Sequence, residues 1–171
     1  MTSPPPKPLT VALLGAESTG KTVLAGQLAQ ALGERGHRVA VVPELLRAWC
    51  EREGREPRPG ESEALAHEQE RLVDQAAASH DIVVADTTAL MAALHGGLTF
   101  ADRGLWPESL ARLRGYGLVL LMGLDLPWVD DGLHRAGAQA RQAQDAMLRE
   151  ALAGSGIGFR VVYGQGPQRL A

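Results

Sequence analysis

The feature that most constrains this chain is an apolar run that leads directly into a glycine-rich segment. Residues 9–14 are mostly apolar, and residues 15–22 read G-A-E-S-T-G-K-T. Residues 22–32 then carry apolar side chains at helical spacing and are followed by Gly33 and Gly36. A short apolar run bounded by glycine is typical of a buried strand, and glycine commonly follows the end of a helix. The order strand, tight loop, helix is therefore predicted.

The loop contains the residue types that bind phosphate. Gly15 and Gly20 allow a tight turn in which backbone N–H groups point inward at an anion. Lys21 supplies a mobile charge for the β- and γ-phosphates, and Thr22 supplies a hydroxyl for Mg²⁺, while the helix adds its positive N-terminal end. We expect the loop to bind ATP, with further contacts from Glu17, Ser18 and Thr19. We also expect Lys21 to be an exposed charge that matters little to packing.

Strand-like and helix-like segments alternate along the rest of the chain. Apolar runs of strand length lie at residues 39–42, 82–85, 118–122 and 159–163. Helical patterns cover residues 44–53, 62–79 with Ser62 as N-cap, 88–98, 107–113 and 138–153. This alternation predicts an α/β fold of the P-loop NTPase type: a five-stranded, mostly parallel sheet with helices on both faces, in three layers. We expect one domain, residues 9–171, after a flexible tail of residues 1–8.

Composition excludes several functions. The formal charge of −3 and the lack of a basic stripe argue against nucleic-acid binding. The start of the chain does not resemble a signal peptide, and no apolar run is long enough to span a membrane. The single cysteine, Cys50, fits a reducing compartment, so we expect a cytoplasmic protein. Asparagine is absent, which excludes the Asn-Lys-x-Asp guanine-reading motif of GTPases.

Polar residues at the ends of two other strands are candidates for the same site. Asp86 follows the apolar run 82–85, where a carboxylate can hold Mg²⁺. It can also serve as the N-cap of the next helix. Glu44 follows the second strand with Arg47 one turn later, so they can orient an acceptor hydroxyl and bind phosphate charge. The alternative for Glu44 and Arg47 is a surface ion pair.

Aromatic and charged residues elsewhere complete the candidate site. Trp49 is either core or a face for a cationic ring. The segment 125–135 is too polar and too punctuated for core, which indicates a functional loop that includes Trp128 and Asp131. Arg135 and Arg141 can close over a triphosphate as a lid that excludes water, or they are solvated helix charges.

Four segments together resemble a known family. G-A-E-S-T-G-K-T at 15–22, E-L-L-R at 44–47, D-T at 86–87 and P-W-V-D-D-G-L at 127–133 match, in order and spacing, the nicotinamide riboside kinase domain of NadR-type proteins of NAD biosynthesis. The resemblance covers nearly the whole chain after the tail. It implies transfer of the ATP γ-phosphate to the 5′-hydroxyl of nicotinamide riboside, with Mg²⁺ as cofactor.

The resemblance also implies a role for each candidate residue. Lys21 and Thr22 would contact phosphate and metal, and Asp86 would be the acid near the metal or the acceptor. The acceptor side would be formed by Glu44 and Arg47, and the closing elements by Asp131, Arg135 and Arg141. Trp49 and Trp128, with Asp86 and Asp131, are further candidates for substrate binding. Two other hypotheses remain: a kinase for another nucleoside or small hydroxyl compound, and a slow or non-catalytic ATPase module.

Overall fold

The computed structural model describes residues 7–129 and 137–170, which form an α/β fold. The strands are β1 Leu9–Leu14, β2 Val39–Val42, β3 Ile82–Asp86, β4 Leu118–Met122 and β5 Arg160–Val162. The helices are α1 Lys21–Glu34, α2 Leu45–Glu53, α3 Pro59–Ala77, α4 Ala89–Phe100, α5 Trp106–Leu113 and α6 Gly137–Ser155. A short 3₁₀ segment, Gly166–Leu170, follows β5 and is called the C-terminal turn below.

The five strands form one parallel sheet in the order β2-β3-β1-β4-β5. β1 lies at its centre, paired with β3 on one side and β4 on the other. Leu13 near the end of β1 is in register with Asp86 at the end of β3. Ligands of such sheets bind outside the carboxyl ends of the strands, where the strand order reverses. The loop after β1 and the end of β3 meet at this edge.

Side chains of β1 alternate between the two faces of the sheet, and each face has its own core cluster. Val11 and Leu13 pack in a cluster with Leu24 of α1, whereas Ala12 and Leu14 pack in a cluster with residues of α4, α5 and α6. On that second face α3 packs against β2 and β3 through Val73. The sheet therefore lies between two helical layers. The predicted three-layer P-loop fold is confirmed, and every strand pair of the sheet is parallel.

The start of α3 differs from the prediction. The helix begins at Pro59, and Ser62 lies within it as a buried residue rather than as the N-cap. Proline is favoured in the first turn because its missing N–H leaves no intrahelical bond unmade. Glu61 accepts the backbone N–H of Arg58 at 2.8 Å and so satisfies a free donor at this end. Pro59 and the contact of Glu61 favour a helix start one turn earlier than Ser62 indicated.

Two further predictions concerned a membrane-spanning segment and an N-terminal tail. In the part of the chain that the structure describes, no helix has the length and apolar character needed to cross a membrane. Residues 1–6 of the expected N-terminal tail lie outside the described residues. The division into a tail and one domain stays a prediction.

Candidate functional site

The glycine-rich loop connects β1 to α1 at the carboxyl edge of the sheet. Gly15 has φ 155° and Gly20 has φ 79°, a left-handed backbone in which glycine is favoured. A Cβ added to Gly15 would lie 2.8 Å from the Cβ of Met122, so no larger residue fits against β4. Ser18 also has a positive φ, 53°. The Thr19 hydroxyl donates to the Ala16 carbonyl at 2.7 Å across the loop. The sequence therefore produces the tight turn that the motif requires.

Lys21 is buried in this loop, which corrects the expectation of an exposed charge. Its residue is 8% exposed, and Nζ donates to the carbonyls of Gly15 at 2.8 Å and Ala16 at 3.0 Å. Burial lowers the pKa of Lys21 from its usual value, and the nearby carboxylates of Glu44 and Asp86 partly oppose this. The ammonium group is thus held against backbone oxygens, and an incoming phosphate would compete with them for it.

Thr22 and Asp86 form a hydroxyl–carboxylate pair at the ends of α1 and β3. Thr22 Oγ1 donates to Asp86 Oδ2 at 2.6 Å. Asp86 is 2% exposed, and its other oxygen, Oδ1, has no hydrogen-bond partner among the described residues. The N-cap of α4 is Thr88, whose hydroxyl accepts from the Leu90 N–H, so Asp86 does not cap that helix. A buried carboxylate oxygen with a free lone pair beside a hydroxyl is a donor set that fits Mg²⁺.

This donor set is not a closed metal centre. Within residues 7–129 and 137–170, no group of three or more His, Cys, Asp or Glu side chains is arranged to hold a metal ion. Mg²⁺ keeps several waters and is usually held by one or two protein ligands plus substrate phosphates. Thr22 and Asp86 therefore suit a metal that arrives with a nucleotide.

Glu44 and Arg47 lie at the start of α2, close to the loop. Glu44 is the N-cap of the helix, and its Oε2 is 3.7 Å from Arg47 Nε. Gln69 of α3 fixes this start, because it accepts the Leu45 N–H at 3.0 Å and donates to the Pro43 carbonyl at 3.2 Å. Glu44 and Arg47 thus form the ion pair that was the alternative prediction, and the pair lies close to the phosphate loop.

A cavity of about 430 Å³ joins Arg47 to the phosphate loop. Its walls include the start of α1 and the segment after β4, and its lining residues are Ser18, Thr19, Gly20, Lys21, Thr22, Val23, Arg47, Leu126, Pro127 and Val129. The cavity therefore joins the loop to Arg47 at the start of α2, whereas Asp86 and Glu44 are not among its lining residues. Asp86 contacts the loop region through Thr22.

The two predicted tryptophans lie outside the lining of this cavity. Trp49 is half-buried farther along α2, and the Arg55 guanidinium lies over its ring, 4.7 Å from the centroid. Trp128 is half-buried in the segment after β4. Both roles in acceptor binding stay predictions. Asp131 and Arg135 lie outside the described residues.

Arg141 of α6 is a buried contact of the loop rather than a solvated charge. It is 8% exposed, and its Nη2 donates to the Leu126 carbonyl at 2.7 Å and to the Ser18 carbonyl at 3.4 Å. Gln144, one turn later on α6, accepts the Glu17 N–H at 3.2 Å. The start of α6 thus lies against the loop, although a lid role for Arg141 stays a prediction.

Arg169 lies outside every segment that the sequence predicted to be functional, and Asp125 is the first residue of the predicted functional loop 125–135 but had no assigned role. Arg169 of the C-terminal turn donates from Nη1 to the Thr19 carbonyl at 2.5 Å, and its Nη2 lies 3.3 Å from Asp125 Oδ1. The two residues are 44 positions apart in sequence, and no motif predicts their contact. The one available signal was the cluster of glycine and proline after β5, which indicates a turn that can fold back over the strand ends.

A glycine-rich loop between a parallel strand and a helix, with a buried lysine and a hydroxyl–carboxylate pair, defines a P-loop NTPase domain. A family model described as an AAA domain matches residues 10–169. The chain belongs to this AAA domain family. Among curated proteins, none matches the sequence.

Solved structures share the fold. NadR protein in complex with NR is 20% identical with a TM-score of 0.76, and the match covers 94% of this chain and 47% of that one. NadR in complex with NAD and AMP-PNP is 19% identical with a TM-score of 0.73, covering 94% and 45%. Shikimate kinase from Acinetobacter baumannii in complex with shikimate is 14% identical with a TM-score of 0.53, covering 95% and 87%.

The chain spans about half the length of the NadR chains it matches. The resemblance to the NadR-type P-loop family is confirmed by these findings as a likeness of fold. At this level of identity, activity and substrates do not follow from the likeness.

Proposed function

We propose that this protein is an ATP-dependent kinase that phosphorylates the 5′-hydroxyl of nicotinamide riboside to give nicotinamide mononucleotide. The observation that carries the proposal is one cavity bordered by the phosphate loop on one side and by Arg47 on the other. A kinase needs both a triphosphate site and room for an acceptor beside it. The resemblance of four segments to the nicotinamide riboside kinase domain names the acceptor.

In this proposal the loop binds the triphosphate. Its backbone N–H groups and the N-terminus of α1 face the β- and γ-phosphates, and Lys21 exchanges its contacts with the Gly15 and Ala16 carbonyls for phosphate oxygens. Thr22 and Asp86 would hold Mg²⁺, which neutralises charge on the phosphates when bound. Arg141, with Arg135 and Asp131, would complete the closure that excludes water.

The acceptor side is assigned to the start of α2. Glu44 orients the attacking hydroxyl, and Arg47 stabilises the charge that develops on the transferred phosphoryl group. Their separation of 3.7 Å allows each to influence the other's position. Trp49 and Trp128 are the aromatic faces available for a cationic pyridinium ring. Glu44 and Asp86 are the two candidate bases for the proton of the attacking hydroxyl.

The direct test is ADP release by the purified protein with Mg-ATP, with and without nicotinamide riboside. Adenosine, uridine and free ribose serve as comparison acceptors. Stimulation by nicotinamide riboside alone supports the proposal. Stimulation by a different nucleoside would assign another acceptor, and no stimulation by any of them would leave a nucleotide-binding ATPase module.

A matched pair of variants on α2 distinguishes a role of Glu44 in acceptor binding from a general loss of structure. Glu44→Gln is expected to lower kcat at least tenfold, because the proposal assigns the orientation of the acceptor hydroxyl to this carboxylate. Glu51→Gln changes an exposed carboxylate of the same helix and should keep normal kinetics. Equal kinetics in both variants would remove Glu44 from the mechanism.

A further inference from the structure

The guanidinium of Arg169, in the C-terminal turn, donates a hydrogen bond to the backbone of the phosphate loop. The Arg169 side chain is 4% exposed and makes three contacts: Nη1 to the Thr19 carbonyl at 2.5 Å, Nε to the Gly164 carbonyl at 2.7 Å, and Nη2 to Asp125 Oδ1 at 3.3 Å. A guanidinium is a planar fork with fixed donor directions, so three contacts at once define its orientation.

Asp125 connects Arg169 to the backbone that follows β5. While Oδ1 faces Arg169, its Oδ2 accepts the Gly164 N–H at 2.6 Å. The turn after β4 and the residue after β5 are thereby tied to one another. Arg169 is held from two sides that do not belong to the loop, so the position of its Nη1 is set by the sheet.

The contact with Thr19 bears on the next peptide group. In a trans peptide the carbonyl oxygen and the following N–H lie on opposite sides. Because Arg169 holds the Thr19 carbonyl, the Gly20 N–H is directed away from the arginine, toward the opposite side of the loop. Gly20 has φ 79°, and a Cβ there would lie 3.0 Å from Arg169 Nη1. The absence of a side chain at Gly20 thus also permits the arginine to approach.

We propose that Arg169 is a positioning residue that orients the Gly20 N–H for phosphate binding. The inference rests on the nucleotide site of the proposed function and is independent of the acceptor. The arginine acts through the backbone of the loop, so its effect should depend on the phosphates of the ligand. It should not depend on the adenine base or the ribose.

The test compares two ligands, ATP and inorganic tripolyphosphate, which has the phosphates without the nucleoside. Calorimetry gives the Kd of ATP, and displacement of ATP gives that of tripolyphosphate. Arg169→Met is expected to weaken both by a similar factor, roughly tenfold for one lost charge-assisted hydrogen bond. Arg35→Met removes an exposed arginine at the far end of α1 and should leave both values unchanged. In turnover the KM for ATP should rise more than kcat falls.

Arg169→Lys is the second variant, for use also if the methionine variant does not fold. A lysine keeps the charge but cannot bridge three acceptors as the fork does, so roughly threefold weaker binding is expected, with an unchanged melting temperature of the free protein. Wild-type affinity for both ligands in either folded variant would overturn the inference. So would weaker ATP binding with unchanged tripolyphosphate binding, because the arginine would then act at the nucleoside. If the wild-type protein does not bind ATP, the proposed function itself fails.

Discussion

Two buried cations beside the phosphate loop, Lys21 and Arg141, donate to backbone oxygens rather than to carboxylates. Lys21 contacts Gly15 and Ala16, and Arg141 contacts Leu126 and Ser18. Burying a charge is costly unless it is compensated, and a carbonyl dipole compensates less than a full negative charge. A bound triphosphate would supply that missing negative charge. The residues around the loop therefore favour an anionic ligand.

Replacement of Lys21 by methionine tests this at a single residue. Methionine keeps much of the buried stem, while the charge and its two hydrogen bonds are lost. Because burial already lowers the pKa of Lys21, the charged form is disfavoured in the folded protein, and we expect the melting temperature to stay the same or rise. ATP affinity, measured by calorimetry, should fall more than tenfold.

The control for that variant is Lys7→Met, which changes the other lysine, an exposed residue before β1. It should bind ATP normally. If Lys21→Met binds ATP as well as this control does, the assignment of the loop to phosphate binding is wrong.

Asp86→Asn tests the metal role. Asparagine can still accept the Thr22 hydroxyl through its amide oxygen, so the contact with α1 survives while the charge is removed. We expect the Mg²⁺ concentration for half-maximal ADP release to rise at least tenfold, because a neutral amide is a weaker Mg²⁺ ligand than a carboxylate. Thr22→Val should shift the same curve in the same direction. Identical Mg²⁺ titrations of Asp86→Asn and the wild type would rule out metal binding by Asp86.

At the scale of elements, α3 connects the core to the site through one buried carboxylate. Glu70 accepts the Ala89 N–H at 2.9 Å, Arg112 Nε at 2.8 Å and the Tyr116 hydroxyl at 2.9 Å. Arg112 also bonds Asp74 on the next turn of α3. Burial beside Glu70 raises the pKa of Tyr116, so the phenol stays protonated and donates. The start of α4, which follows Asp86 by three residues, is fixed by this network.

Removal of that carboxylate should destabilise the fold and disturb the end of β3. Glu70→Ala leaves the Ala89 N–H and the Tyr116 hydroxyl without their acceptor, and we expect a loss of about 3 kcal/mol in the free energy of unfolding. Urea denaturation measures this. Glu68→Ala, an exposed carboxylate on the same helix, should have little effect. A similar small effect of both changes would show that the network adds no net stability.

Local sequence patterns predicted the elements well, and tertiary contacts explain where they did not. The loop, α1 and the position of Asp86 follow from residues adjacent in sequence, because glycine conformation and apolar periodicity act locally. The predicted start of α3 at Ser62 was wrong, because Pro59 in the first turn and the contact of Glu61 with the Arg58 N–H favour an earlier start. The contact between Arg169 and Asp125 could not be predicted this way, because it joins residues 44 apart in the chain. Burial of Lys21 likewise depends on neighbours from other elements.

At the scale of the whole molecule, the site is assembled from nearly the full length of the chain. The loop after β1, the start of α2, the end of β3, the turn after β4, α6 and the C-terminal turn all contribute residues. A ligand that binds these parts together stabilises the folded state of all of them at once. We therefore expect residues 9–171 to unfold as one unit whose stability depends on nucleotide.

Thermal unfolding with and without ATP tests that expectation. At a concentration 100-fold above Kd, ligand adds about 2.7 kcal/mol to the free energy of unfolding. For a domain of this length that corresponds to a rise of roughly 5–11 °C in melting temperature. A single transition should move as a whole, and Lys21→Met should show about half that shift or less at the same ATP concentration, because its affinity is more than tenfold lower. Two transitions, of which ATP moves only one, would mean that the C-terminal turn and α6 form a unit separate from the loop. That result would also remove the structural basis for the action of Arg169 on Gly20, since a rigid connection between β5 and the loop is what allows the arginine to hold the Thr19 carbonyl.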